Sequence, residues 1–262
     1  MTDATKLGHH GAETMTEAEF LAQYKQKEYP RPSVTVDLVI FTIINSNLHV
    51  LLIQRGGHPF RLCKALPGGF VDVKTPKNKR GPDYDYDKDQ GEDLEEAAHR
   101  ELEEETSLPK GSCYLEQLYT FGKAYRDPRC RVIDVAYVAL VPSTLAPLVK
   151  AQDDAVAVMW VPVQEQVDSR SALAFDHDLI LEKALERVRG KIDYSPIAFS
   201  LLPSTFTVNQ LREVYEAVKG KAYDPKNFYR RFRRMQADGV ILPTQQKIAT
   251  GSRHAALYRF NR

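Results

Sequence analysis

Long apolar runs are missing from this 262-residue chain: no stretch of about 18 apolar residues occurs, so no membrane-spanning helix is expected. The first residues lack the basic-then-apolar order of a secretory leader, which points to a cytoplasmic protein with no membrane partner. Cysteine is scarce. Cys63, Cys113 and Cys130 are odd in number and far apart, which argues against both a disulfide framework and a zinc site. Net charge is almost absent at +1, but that average hides a segregation. Thr207 to Arg262 holds twelve Lys/Arg against four Asp/Glu, a net of +8, while the remainder carries 24 basic against 31 acidic residues, a net of −7. A basic binding module joined to an acidic one fits this division, and the chain is long enough for two domains of ~100–200 residues. Hydrophobic residues make up 43%, enough for substantial cores.

The strongest local pattern is Gly91 to Leu108. It reads as a helix, with good helix formers throughout, no internal Gly or Pro, and acids in the first turn. At about 100° per residue, Leu94, Ala97, Ala98 and Leu102 define one arc. Glu101 and Glu105 fall inside that arc, and Glu104 lies at its edge. Carboxylates on an inward face lose hydration and repel one another unless a cation or ligand compensates them.

The spacing Glu92, Arg100-Glu101-Leu102, Glu104-Glu105, Leu108 resembles the Nudix box, the signature of enzymes that hydrolyse nucleoside diphosphates linked to another group. Leu66-Pro67-Gly68-Gly69-Phe70-Val71-Asp72-Val73 supplies its upstream half once the 17 residues from Lys74 to Gln90 are set aside as an insertion. Gly69 then stands in register with Glu92. The box departs from the family in being split and in carrying Ser107 where a glycine is expected. The resemblance implies that Glu101, Glu104 and Glu105 hold Mg²⁺ or Mn²⁺, with Glu104 and Glu105 as the catalytic carboxylates of a weak or vestigial site. Hard cations of this kind select carboxylate oxygen and neutralise a diphosphate.

In chain order, Met1 to Thr14 has no apolar periodicity and is expected to be disordered, and Glu17 to Lys27 suits a short helix. Val34 to Ile44 and Leu48 to Gln54 read as a hairpin turned at Asn45-Ser46-Asn47. The insertion changes from basic to acidic without a core-forming pattern, as a long loop does. Tyr114 to Phe121 and Arg131 to Val141 are strand-like. Between them lies Arg126-Asp127-Pro128-Arg129, whose guanidinium groups suit a diphosphate or a ribose edge. With Val-Ile-Asp-Val-Ala-Tyr behind it, this loop resembles the Nudix branch that recognises ADP-ribose. Arg55, Gly69, Arg126, Asp127 and Arg129 are the candidate ligand-binding residues. Asp153-Asp154 and the strand bearing Trp160 resemble the next landmark of that branch. Ala157 stands there in place of a glutamate, a substitution that weakens the case for turnover and still allows ligand binding. Asp176 to Arg189 reads as a helix with Asp176 as N-cap and Gly190 past its end.

The basic module begins with Thr207, which caps a helix in a capping-box pattern with Gln210. Val208, Leu211, Tyr215 and Val218 form the apolar face, and Gly220 ends the helix. A second helix starts at Asp224-Pro225 and stops before Gly239. Phe228, Phe232 and Met235 point inward; Lys226, Asn227, Arg230, Arg233 and Arg234 lie on the far side, and Arg231 flanks the core. Val240 to Leu242, a polar turn at Gly251 to His254, and Leu257 to Phe260 read as a small hairpin. This is the order of a winged helix-turn-helix. Its charge attracts phosphates through counterion release, and Asn and Arg read base edges in the major groove. Lys247, Arg253 and His254 are candidate wing contacts to DNA.

The predicted fold is α+β: a Nudix α/β/α sandwich with a mixed sheet over 31–190, behind a tail and short helix at 1–30, then a winged helix domain over 191–262. The whole arrangement, including Asn227-Phe228-Tyr229-Arg230, resembles the Nudix-related transcriptional regulators of NAD metabolism, the NrtR family. That resemblance implies a homodimeric repressor of NAD biosynthesis and salvage genes, bound to a double-stranded operator and released by ADP-ribose. The alternative is an active Mg²⁺-dependent ADP-ribose pyrophosphatase whose basic domain serves dimerisation. An RNA-binding Nudix protein is disfavoured, because no aromatic stacking sheet accompanies the basic residues.

Overall fold

The β-branched stretch at the start of the core forms strand β1 (Ser33–Ile44) and returns as β2 (Asn47–Arg55). Asn45 and Ser46 take positive φ values of 48° and 59°, as a two-residue hairpin turn requires to match the twist of its strands. The computed structural model describes residues 31–74, 91–108, 111, 113–146, 155–169, 172–250 and 253–261. The expected N-terminal tail and short helix, the insertion from residue 75 to 90, Asp153-Asp154 and Gly251-Ser252 lie outside the described residues.

Around this hairpin a mixed sheet assembles. β1 pairs in parallel with β6 (Val132–Leu140) and antiparallel with β2 and β4 (Gly68–Phe70). β2 also pairs with β3 (Lys64–Ala65) and β7 (Ala155–Pro162), and β5 (Tyr114–Phe121) lies outside β6. Alternation along β1 sends Val36, Leu38 and Ile40 to one face, where Ala97, Ala98 and Leu102 of helix α1 (Leu94–Thr106) cover them. Val39, Phe41 and Ile43 face the other way, beneath α3 (His177–Lys191), which follows the short α2 (Val163–Asp168). The sheet is therefore buried on both faces, in the predicted sandwich.

The C-terminal part follows through a 3-10 turn (Pro196–Leu201) into α4 (Val208–Lys219) and α5 (Pro225–Ala237). The Thr207 hydroxyl accepts from the Gln210 amide at 3.2 Å while the Gln210 side chain accepts from the Thr207 amide at 2.8 Å, which completes the expected capping box. Asp224 caps α5 by accepting from the Asn227 amide at 2.9 Å, with Pro225 as the first helical residue. Strands β8 (Ile241–Thr250) and β9 (Arg253–Phe260) form the wing. The apolar core does not stop at residue 190. It runs from the sheet through Ala184, Val188 and Ile192 into Phe206, Leu211, Phe232 and Ile241.

Two local readings change. Helix α3 continues to Lys191, so Gly190 lies inside it; the Lys191 ammonium holds the last turn by donating to Tyr114 and Glu116 on β5. Asp176 is the N-cap residue of α3, as expected, and its side chain makes no capping bond because its carboxylate turns toward Arg126. The wing strands span ten and eight residues where only short ends were expected, and His254 sits in β9 opposite Ala249 rather than in a turn. From Gln245 to Ala249 the strand is exposed, so no burial alternation marks it in sequence; backbone pairing alone extends the ladder.

Candidate functional site

The two halves of the split box are rejoined by backbone geometry. The Asp72 amide donates to the Glu92 carboxylate at 2.9 Å, and the Glu92 amide donates to the Asp72 carbonyl at 3.0 Å. Gly91 makes this closure sterically feasible: its φ is +89°, and a Cβ there would lie 2.0 Å from the Asp72 carbonyl oxygen. Arg100 then donates to Glu92 through Nη2 at 2.7 Å and Nε at 3.0 Å, to Glu101 at 2.7 Å, to Glu104 at 3.0 Å and to the Phe70 carbonyl at 3.2 Å. The residues between 74 and 91 thus begin and end at one place, and the box keeps its register across them. At the far end of α1, Ser107 adopts φ 58°, the left-handed conformation that glycine takes without strain. A glycine expectation at that position therefore has a backbone cause.

A cavity of about 710 Å³ opens between α1, the start of β1, the end of β2 and the loop ahead of α3. Its walls include Arg55, Gly69, Glu101, Glu104, Glu105, Arg126, Asp127 and Arg129, so every residue predicted for ligand, metal or catalysis lines one space. Gly69 is there for room: a Cβ would lie 2.3 Å from a Glu101 carboxylate oxygen. Burial pushes the Glu101 carboxyl up to about 7, against the opposing effect of Arg100.

The floor of the cavity is a charge network that the sequence reading did not include. Arg126 is bidentate to Asp176, at 2.6 and 3.0 Å, and lies 3.6 Å from Asp37 and 3.9 Å from Asp134. Its side chain is only 4% exposed, so of the two loop arginines this is the buried one. Burial and the neighbouring Asp37 push the Asp134 carboxyl well above the usual carboxylate range, so it keeps its proton at neutral pH. His177 is buried and its pKa is lowered by that burial. Its Nδ1 accepts from the Leu66 amide at 2.9 Å, which places the proton on Nε2, 3.4 Å from Asp37. A lone carboxylate within an apolar strand was the available signal for Asp37 and Asp134. His177 had none.

The opposite wall is cationic and aromatic. Arg129 is bidentate to Asp127, at 2.7 and 3.1 Å, and its guanidinium lies 5.3 Å from the Phe70 ring and 5.7 Å from the Phe175 ring. Arg55 lies 4.9 Å from the Phe175 ring and donates Nε to the Pro59 carbonyl at 3.0 Å. Among the described residues no carboxylate lies within ion-pair distance of Arg55. Burial and then Arg129 lower its pKa, against the opposing effects of Asp127 and Asp37. A dianionic group would supply the missing partner. For the predicted metal, Glu101 and Glu104 are both held by Arg100. Among the described residues no group of three or more His, Cys, Asp or Glu side chains is arranged to hold an ion. These side chains do not form a metal cage.

On the C-terminal part, Lys226, Asn227, Arg230, Arg233 and Arg234 of α5 are exposed, as are Lys247 and His254 on the wing. Among the described residues no carboxylate pairs with Lys226, Arg230, Arg233 or Arg234. Arg231 differs. It stacks 4.3 Å over Tyr215, donates to the Tyr215 hydroxyl at 3.2 Å and lies 3.8 Å from Asp193, just beyond α3. Arg253 begins β9.

Fold and cavity together define a Nudix-fold protein with an appended winged helix. The chain belongs to the NUDIX domain family, matched over residues 34–184, and carries an NrtR DNA-binding winged helix domain over residues 198–260. It is 36% identical over 249 residues to the ADPR responsive transcriptional repressor NtrR of Acinetobacter baylyi, covering 94% of this chain and 88% of that protein. It is 34% identical over 167 residues to an ADP-ribose pyrophosphatase of Methanocaldococcus jannaschii, covering 63% of this chain and 80% of that one. Among solved structures, Shewanella oneidensis NrtR complexed with a 27mer DNA matches with TM-score 0.69 and 33% identity, over 87% of this chain and 93% of that one. The NUDIX domain of the same protein complexed with ADP ribose matches with TM-score 0.54 and 36% identity, over 66% and 99%.

Two outcomes are expected. Arg126→Ala leaves Asp176 and Asp37 without their cation and should cost about 3–5 kcal/mol in denaturant unfolding; a loss below ~1 kcal/mol would mean that the network relaxes around the gap. Because the Glu101 carboxyl has its pKa raised from 4.5 to about 7, the folded state holds a proton that the unfolded state has already released. Stability should therefore fall as pH rises through that window, and Glu101→Gln should flatten the slope and be the more stable protein at pH 8, by roughly 2 kcal/mol.

Proposed function

We propose that the chain is a cytoplasmic, homodimeric repressor of NAD biosynthesis and salvage genes whose Nudix cavity binds ADP-ribose and thereby releases operator DNA. The observation that carries the ligand part is Arg55, a partly buried cation beside Arg129 with no carboxylate partner among the described residues. A diphosphate supplies the missing charge, and Phe70 and Phe175 offer ring faces to the rest of a nucleotide. The relatives above support the choice of ADP-ribose and of DNA. The DNA part is carried by the exposed cations of α5, which have no internal counterions.

Helix α3 supplies the physical link. It begins beside the cavity, where Asp176 holds Arg126, and ends about 22 Å away at the winged helix. There Arg189 donates to the Val218 carbonyl at 3.1 Å, and Lys219 donates to the Arg189 carbonyl at 3.0 Å and to Asp193 at 2.6 Å. A ligand that favours one placement of α3 changes the population of winged-helix orientations, and only by its differential affinity for the two. In a dimer that shift moves the two α5 helices off the ~34–36 Å spacing of successive major grooves.

The second reading, ADP-ribose hydrolysis, is favoured by one observation: Glu101, Glu104 and Glu105 line the cavity, with the Glu92–Arg100 ion pair of the box retained. Ala157 does not line that cavity; it lies on β7 opposite Gln54.

Fluorescence anisotropy on a duplex selected by the protein from a randomised pool tests both readings, with product analysis of the same tube in the presence of Mg²⁺. Saturating ADP-ribose should weaken binding at least about tenfold and be recovered intact. Unchanged affinity sinks the sensor reading, and AMP release that disappears in Glu105→Gln promotes the hydrolase. Arg55→Ala should bind DNA normally but require roughly ten- to a hundredfold more ADP-ribose for release. Asp193→Ala should retain ADP-ribose affinity while its release response shrinks several-fold; a full response would place the link elsewhere than the end of α3.

A further inference from the structure

Between the first turns of α4 and α5 lies a second cleft, of about 400 Å³, whose lining includes Asn209, Arg212, Lys226 and Tyr229. It is separate from the nucleotide cavity and continuous with the exposed basic face of α5. Arg212 is the unusual member. Its nearest carboxylate is Glu216, one helical turn on, but the separation is 3.7 Å, and the Arg212 Nε–H finds no acceptor among the described residues. Glu216 is otherwise engaged: its carboxylate accepts from the Tyr223 amide at 2.8 Å and so braces the turn between the two helices. The partner that would satisfy Arg212 is thus held by the backbone. Lys226 is also placed against its local field, in the first turn of α5, where the helix dipole disfavours a cation, and neither α4 nor α5 carries an acid in its first turn.

We propose that Arg212, with Asn209 and Lys226, seats a backbone phosphate of duplex DNA. The seat sets the depth and register of α5 in the major groove without reading sequence. This rests on the DNA-binding reading above. Continuity with the α5 cations selects the DNA backbone as the occupant, because a duplex lying along α5 brings phosphates to its N-terminal end. The division of labour follows from position: Arg230 and Asn227 are on the groove-facing side of α5, whereas Arg212 belongs to the helix behind it.

The test compares Arg212→Ala, Arg212→Lys and Arg230→Ala with the wild type, full-length, on the selected operator and on an unrelated duplex of equal length across a salt series. Arg212→Ala should weaken binding to both duplexes by the same factor, roughly three- to tenfold, and lower the slope of log K against log salt by about 1. Arg212→Lys, which keeps the charge, should retain the slope. Arg230→Ala should lose affinity mainly on the operator. Thermal melting of each variant separates a folding defect from a lost contact, and the Lys variant carries the test if the Ala variant melts early. An unaltered salt slope in Arg212→Ala, or a loss confined to the operator, overturns the phosphate seat while leaving the repressor reading intact. Failure of the wild type to bind either duplex at low salt overturns both.

Discussion

Arg126 is surrounded by Asp176, Asp37 and Asp134 in the interior of the Nudix-fold part, and much of the functional geometry follows from its burial there. A guanidinium with so little exposure needs carboxylates that satisfy its donors, and the carboxylates need it in return. The pair with Asp176 ties the loop after β5 to the entrance of α3. That tie sets the positions of Phe175 and His177, and with them one wall and the floor of the cavity. It also anchors the near end of the helix whose far end meets the winged helix.

Charge in the cavity is matched locally almost everywhere. Arg100 answers Glu92, Glu101 and Glu104; Arg129 answers Asp127; Asp134 keeps its proton where a second buried anion would repel Asp37. Arg55 stands outside this matching, and so do the cations of α5. A partly buried cation gains from an anion that supplies the missing charge, and exposed cations grouped on one helix face attract a polyanion. Both places are open to solvent.

Much of this was legible before any coordinate. The split box was recoverable because Gly69 and Glu92 keep family spacing once the insertion is excised, and two backbone hydrogen bonds at Asp72 show why that excision is physically sound. Strand and helix boundaries came within a few residues wherever apolar periodicity was strong, as in β1 and α5. They failed at β8, where exposed residues carry no burial signal, and at Gly190, where Lys191 holds a helix past the glycine that was expected to end it. The aspartate partners of Arg126 were not legible, since two arginines in one short loop look alike in sequence. Only one of them faces the three aspartates.

The order of residues by itself determined the two modules, the acidic helix, the capping box at Thr207 and the opposition of charge between the halves. These depend on local spacing and composition, which physics reads without knowing the neighbours. Tertiary structure decided which charges are satisfied internally. Pairings such as Arg126 with Asp176, Glu116 with Lys191, and Arg231 with Tyr215 join segments from 16 to 75 residues apart. Coulomb and desolvation energies at such contacts depend on distances of a few ångströms, and those distances exist only once the chain has closed on itself.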